Sequence, residues 1–154
     1  MTSFVVTPDD PHAPDVRALL ERHFEFNHQH SPPEDVHALD ASELAGDDVA
    51  FFTIRDDGAL LGMGALKQLD RAHAEVKSMH TTAAARGRGV ARAMLEHLID
   101  TARARGCTRI SLETGNQDAF APARALYASL GFEPCGAFNG YWEDSTSVFL
   151  TREL

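Results

Sequence analysis

A chain of 154 residues, 44% of them apolar, can bury one core without disulfides or metal and is too short for two, so a single domain over 1–154 is expected. Its net charge of −9 is unevenly spread: residues 1 to 58 hold 13 acids and 3 bases, residues 59 to 110 hold 4 acids and 9 bases, and residues 111 to 154 hold 6 acids and 2 bases. An acidic protein with one basic segment suits a small polyanion held locally rather than nucleic acid, and no apolar run approaches the roughly 20 residues of a membrane span.

The first residues lack the basic start and apolar stretch of a signal peptide, and Cys107 and Cys135 have no metal-ligand or paired spacing, so a cytoplasmic protein with ordinary thiols is expected. Phe4 to Thr7 reads as a short strand. Val16, Leu19, Leu20, His23 and Phe24 then recur at helical spacing until Ser31-Pro32-Pro33 stops them, and Glu34 to Ala45 reads as a second helix closed by Gly46. Val49 to Arg55 and Ala59 to Leu69 flank Asp57-Gly58, a strong hairpin signal, and Ala74 to Thr81 makes the next strand.

From Gly89 to Arg105 the apolar positions Val90, Met94, Leu95, Leu98, Ile99 and Ala102 follow a 3.6-residue period, and Gly106 is a good stop. Arg109 to Glu113 is a strand. Phe120, Ala123, Leu126, Tyr127 and Leu130 stripe another helix, with Pro122 in its first turn, and Phe132 to Cys135 and Thr146 to Arg152 supply the last strands. The order predicts an α+β fold: a mixed, mostly antiparallel sheet with helices on both faces.

The chemistry sits at Arg86-Gly87-Arg88-Gly89-Val90-Ala91, between a strand and the long helix. The first N–H groups of a helix lack internal partners, the dipole end is positive, and glycines let the main chain approach a phosphate closely. A pyrophosphate is the natural ligand. Arg92 stands where a dinucleotide fingerprint needs its third glycine, and no Gly-Lys-Ser/Thr follows, so neither the Rossmann nor the nucleotide P-loop pattern fits.

Arg86, Gly89 and Ala91 match Arg/Gln-x-x-Gly-x-Gly/Ala, and Leu126 to Phe132 matches Leu-Tyr-x-x-x-Gly-Phe. With both motifs in order, the chain resembles the GNAT (Gcn5-related) N-acetyltransferases, well over Val49 to Phe149 and by helix pattern alone before Asp48. Within them it looks like an uncharacterised bacterial subgroup. The resemblance implies an acetyl group moved from acetyl-CoA, a co-substrate, directly to a primary amine of a small molecule or peptide, with no metal. Main-chain groups of Met79 and Thr81 would hold the pantetheine arm, and Arg86, Gly87, Arg88, Gly89, Val90 and Ala91 the pyrophosphate. A family asparagine that contacts the cofactor is replaced by Phe120, with Asn116 a candidate substitute.

Amine acetylation needs a base for the amine proton and an acid for the departing thiolate. Glu75 falls where several family members carry a general base, Glu113 is the runner-up, and Tyr127 matches the tyrosine that protonates the thiolate. Strand alternation puts Glu75, Lys77, Met79 and Thr81 on one face toward the cleft and turns His80 away. His23, His28, His30 and His37 have no strong metal spacing. The acidic N-terminal half favours a cationic acceptor, such as an amino acid, polyamine or peptide N-terminus, with Ser31 to His37 and Asn139 to Trp142 as specificity segments. The sequence leaves room for a homodimer. A non-catalytic acyl-CoA sensor is the alternative, against which the presence of both Glu75 and Tyr127 argues.

Overall fold

The Asp57-Gly58 turn has both residues at positive φ, 49° and 82°, the geometry that joins two right-twisted strands tightly. It closes a hairpin of β2 (Val49–Asp56) and β3 (Ala59–Gln68). The computed structural model describes residues 4–30, 39–144 and 146–154. Around the hairpin a seven-stranded sheet adds β1 (Val6–Pro8), β4 (His73–Thr81), β5 (Arg109–Gly115), β6 (Glu133–Cys135) and β7 (Ser147–Glu153), in the order β1-β2-β3-β4-β5-β7-β6. Every neighbouring pair is antiparallel except β4 and β5.

Among the described residues four α-helices cover the two faces. On one side α1 (Pro14–His30) and α2 (Ala41–Leu44) bury Val16, Leu19, Leu20 and Leu44 against Phe51, Met63 and Ala65. On the other, α3 (Val90–Ala104) and α4 (Ala121–Ser129) pack the larger core, where Met94, Leu95, Leu98 and Tyr127 meet Phe52, Ile54, Val76 and Leu112. Arg55 of β2 fixes the start of α1 by pairing with Asp9 at 3.0 Å and with Asp15. The α+β expectation holds.

The second helix is shorter than its apolar pattern suggests. Its described part begins only after Asp40, whose carboxylate accepts from the Glu43 N–H at 2.8 Å while the Glu43 side chain accepts from the Asp40 N–H at 3.2 Å. That reciprocal capping box sets the helix start. The expected Glu34 to His37 part, like the specificity segment Ser31 to His37, lies outside the described residues. β5 runs two residues past the expected Glu113, to Gly115.

Strand β4 departs from simple alternation. Met63 pairs with His80 but Ala65 with Lys77, so β4 carries one extra residue, and Ser78 takes φ 55° there, rare for a residue with a side chain. The bulge reverses the side-chain phase. Glu75 and Lys77 share the α1 face with Ala65, whereas Met79 packs against the α3-side core, and His80 shares the α1 face with Met63. Glu75, Lys77, Met79 and Thr81 therefore do not share one face, and His80 does not turn away from Glu75.

Candidate active site

The β4–β5 ladder ends at Glu75 and Ser111, although β4 continues to Thr81 and β5 to Gly115. The two strands splay apart, and a cleft of about 540 Å³ opens between them, walled by both strands, α1, the start of α3 and α4. That size suits a small-molecule ligand.

At one end stands the start of α3. Gly89 is its N-cap at φ 87°, Gly87 lies at 77°, no side chain caps the helix, and no acid occupies its first turn. The first intrahelical bond is donated by Ala93 to the Gly89 carbonyl, at 3.1 Å, so the N–H groups of Val90, Ala91 and Arg92 have no partner within the helix. A Cβ built on Gly89 meets nothing within 4 Å, so the main chain there is open to an incoming anion. Arg86, Gly87, Gly89, Val90, Ala91 and Arg92 all face the cleft. Backbone donors, helix dipole and arginines on one wall fit the pyrophosphate of coenzyme A.

Tyr127 of α4 and Glu113 of β5 line the same cleft. Burial first, then the Glu113 carboxylate, pushes the Tyr127 phenol up to about 12. The phenol is therefore protonated throughout the physiological range.

The family model described as "Acetyltransferase (GNAT) family" matches residues 13 to 132. The chain belongs to the GNAT acetyltransferase family. It is 44% identical over 146 residues to the uncharacterised N-acetyltransferase YsnE of Bacillus subtilis, covering 95% of this chain and 97% of that one. With the uncharacterised N-acetyltransferase YedL of Escherichia coli it shares 41% over 151 residues, or 98% and 95% of the two chains. Among solved structures, a Klebsiella pneumoniae protein proposed to be an acyl-CoA N-acyltransferase superposes with a TM-score of 0.83 at 28% identity, over 98% of this chain and 97% of that one. This GNAT protein is an acetyl-CoA-dependent N-acyltransferase.

Of the residues singled out from sequence, Met79, Thr81, Arg86, Gly87, Gly89, Val90, Ala91, Glu113 and Tyr127 line the cleft. Three others do not. Arg88 turns away, its guanidinium 3.8 Å from Asp56 and 5.9 Å from the Phe4 ring centroid. Asn116 sits exposed beyond β5, its N–H donating to the Thr146 carbonyl at 2.9 Å. Glu75 is 1% exposed, and its Oε2 accepts from the Tyr141 hydroxyl at 2.7 Å. Lys77 Nζ donates to the same hydroxyl at 2.8 Å and lies 3.4 Å from Glu75. Glu75 thus reaches the cleft through Tyr141 and Lys77, of which only Lys77 is on the wall.

His23, Phe26 and Asn27 of α1 and His80 of β4 also line the cleft. The signal for the helix residues was present: 16, 19, 20, 23, 26 and 27 form one helical stripe that changes from aliphatic to aromatic and polar toward its C-terminal end. The His23 and His80 Nδ1 atoms are 3.1 Å apart. Asn27 Nδ2 donates to the His23 carbonyl at 2.8 Å and lies 3.4 Å from His23 Nε2, which assigns Nε2 as an acceptor and places the His23 proton on Nδ1, toward His80. Burial, then His80 and Lys77, pushes His23 down to about 3, and burial, then Arg86 and Arg22, pushes His80 down to about 4.

Two histidines neutral in the fold but protonated when unfolded have a definite consequence. Their contribution is complete above pH 6.5, where the unfolded rings are also neutral, and is lost as pH falls toward the folded values. Between pH 7 and 5 each ring should lose on the order of 2 kcal/mol and the pair about 4 kcal/mol, a Tm drop of about 8–16 °C. The double substitution His23→Gln and His80→Gln should flatten that slope in thermal melts, and an equally steep slope in the double variant would place the acid sensitivity elsewhere.

Proposed function

We propose that this cytoplasmic, single-domain protein acetylates a primary amine of a small molecule or peptide by direct attack on acetyl-CoA. What carries the reading is the uncapped, glycine-entered start of α3 opening onto the same cleft as Tyr127 and Glu113. The cradle from Arg86 to Ala91 holds the pyrophosphate, and the β4 main chain at Met79 and Thr81, past the end of the β4–β5 ladder, holds the pantetheine arm. Phe120, rather than Asn116, occupies the wall at the start of α4.

Among the described wall residues Glu113 is the one carboxylate, and it takes the proton from the acceptor ammonium. The neutral amine attacks the thioester carbonyl, the carbon–sulfur bond breaks, and the thiolate takes up a proton. Glu75 is a positioning residue in this scheme, holding Lys77 on the wall through Tyr141. The free thiols at Cys107 and Cys135 suit a reducing compartment and are not nucleophiles here.

The magnitude of the Tyr127 contribution follows from its pKa. An ordinary thiol ionises near ~8.5 and this phenol near about 12, so complete transfer to a free thiolate would be uphill by roughly 3–4 pH units. Tyr127 therefore serves best as a hydrogen-bond donor as charge develops on sulfur, with the net proton supplied by the acceptor. Tyr127→Phe should lower kcat by ~10- to 100-fold, the low end of general-acid effects, and leave acetyl-CoA affinity and Tm nearly unchanged because the ring still packs on Phe132. Thiol release under saturating substrates, alongside calorimetry, makes the measurement. Unchanged kcat with chemistry rate-limiting would leave Tyr127 as packing alone.

A further inference from the structure

The wall on the α1 side carries rings instead of acids. Phe26 stands edge-on to Phe120 with centroids 5.3 Å apart, lies 4.7 Å from the His30 ring and 6.1 Å from His80. Three elements, α1, β4 and the turn entering α4, thus bring aromatic rings together on the cleft wall. The seat of Phe120 is built in: a Cβ on Gly115 would lie 2.5 Å from its Cδ2, so the strand end must be glycine for the ring to be there. Of the 11 described acids in residues 1 to 58 none lines the cleft, and the charged residues of its described wall are Lys77, Arg86, Arg92 and Glu113. The described wall therefore gives no charge argument for a polyamine. Along it a second ammonium would meet a single carboxylate, already engaged with the reacting amine, and burying an unpaired charge is costly.

We propose that the acceptor is a primary amine bearing one flat aromatic group, which seats against Phe26 and Phe120. This rests on the reading of the cleft as the acetyl-transfer site, and it names the acceptor class that reading leaves open. The rings of Phe26, Phe120 and His80 on the wall suit the edge-to-face or offset contacts that aromatic ligands prefer, and such a pocket selects by shape rather than charge.

The test compares 2-phenylethylamine, butylamine and 1,4-diaminobutane, by thiol release from acetyl-CoA and by calorimetric binding to the protein saturated with coenzyme A. The parent should favour 2-phenylethylamine by on the order of tenfold or more in kcat/KM and in affinity. In Phe26→Leu and, separately, Phe120→Leu that ratio should fall at least about fivefold, through KM for the ring-bearing amine. Equal or better use of the diamine by the parent, or a loss shared by all three amines in both variants, overturns the proposal. If acetyl-CoA binds but no amine is turned over, the acetyl-transfer reading fails separately. The calorimetric ratio then decides: a preference for the ring lost in both variants upholds the aromatic subsite, and no preference overturns it.

Discussion

Gly89→Asp should abolish acetyl-CoA binding, whereas Gly89→Asn should retain much of it. Both replacements place a side chain at φ 87°, where left-handed backbone costs roughly 1–2 kcal/mol for most residues and less for Asn and Asp. Both meet open space, since a Cβ there contacts nothing within 4 Å. They differ in charge. A carboxylate about 4 Å from a pyrophosphate oxygen near the surface costs about 4 kcal/mol at an effective dielectric of 20, equivalent to roughly a thousandfold in affinity. Asn, which is nearly the same shape, should lose about tenfold or less through bulk alone. Calorimetric titration separates the two, with thermal melts showing that both variants fold. Equal affinity for Gly89→Asp and the parent would mean that the phosphates do not sit at the start of α3.

Glu113→Gln should slow acetyl transfer by ~10²- to 10⁴-fold at neutral pH, the range of a lost general base. Most of an alkylamine with a pKa near ~10.4 is protonated at pH 7, so the penalty should shrink as pH rises toward that value and free amine accumulates. Acetyl-CoA affinity should be nearly unaffected, because a lost general base acts on the amine proton rather than on ground-state cofactor binding. Glu75→Gln should cost less, about tenfold, since Gln keeps an acceptor for the Tyr141 hydroxyl and loses only the ionic contact with Lys77. A Glu113→Gln rate profile equal to the parent's at every pH would take Glu113 out of the mechanism. It would then leave Glu75, acting through Tyr141 or Lys77, as the base.

Most of the fold was legible because local signals agreed with it. The Asp57-Gly58 turn, the α3 stripe and the Pro122 start of α4 each have a cause within a few residues of themselves, and the structure repeats them. The glycine-entered, uncapped start of α3 was legible for the same reason, since glycine at a helix start acts through its own backbone. The β4 bulge was not. Ser78 has none of the residue preferences that mark positive φ, and its conformation is imposed by the pairing of β3 with β4 on either side. Two assignments that counted residues along the strand, Glu75 with Met79 and His80 against Glu75, therefore came out with the wrong face. The burial of Glu75 and Lys77 had no local signal, because Tyr141, which bonds to both, comes 66 positions after Glu75 in a loop with no periodicity. Charge summed over the first 58 residues was equally blind to direction: α1 turns His23, Phe26 and Asn27 inward and leaves Glu21 and Glu25 exposed.

The cleft between β4 and β5 should move an acetyl group from acetyl-CoA to an amine nitrogen. Incubating the protein with acetyl-CoA labelled in its acetyl carbons and a panel of primary amines, with mass spectrometry of the products, tests it most directly. One labelled acetyl group should appear on the amine nitrogen with one free thiol released per acetyl transferred, and both should be lost with Gly89→Asp. Thiol released in full while no amine in the panel gains the label, or transfer undiminished by Gly89→Asp, would contradict it.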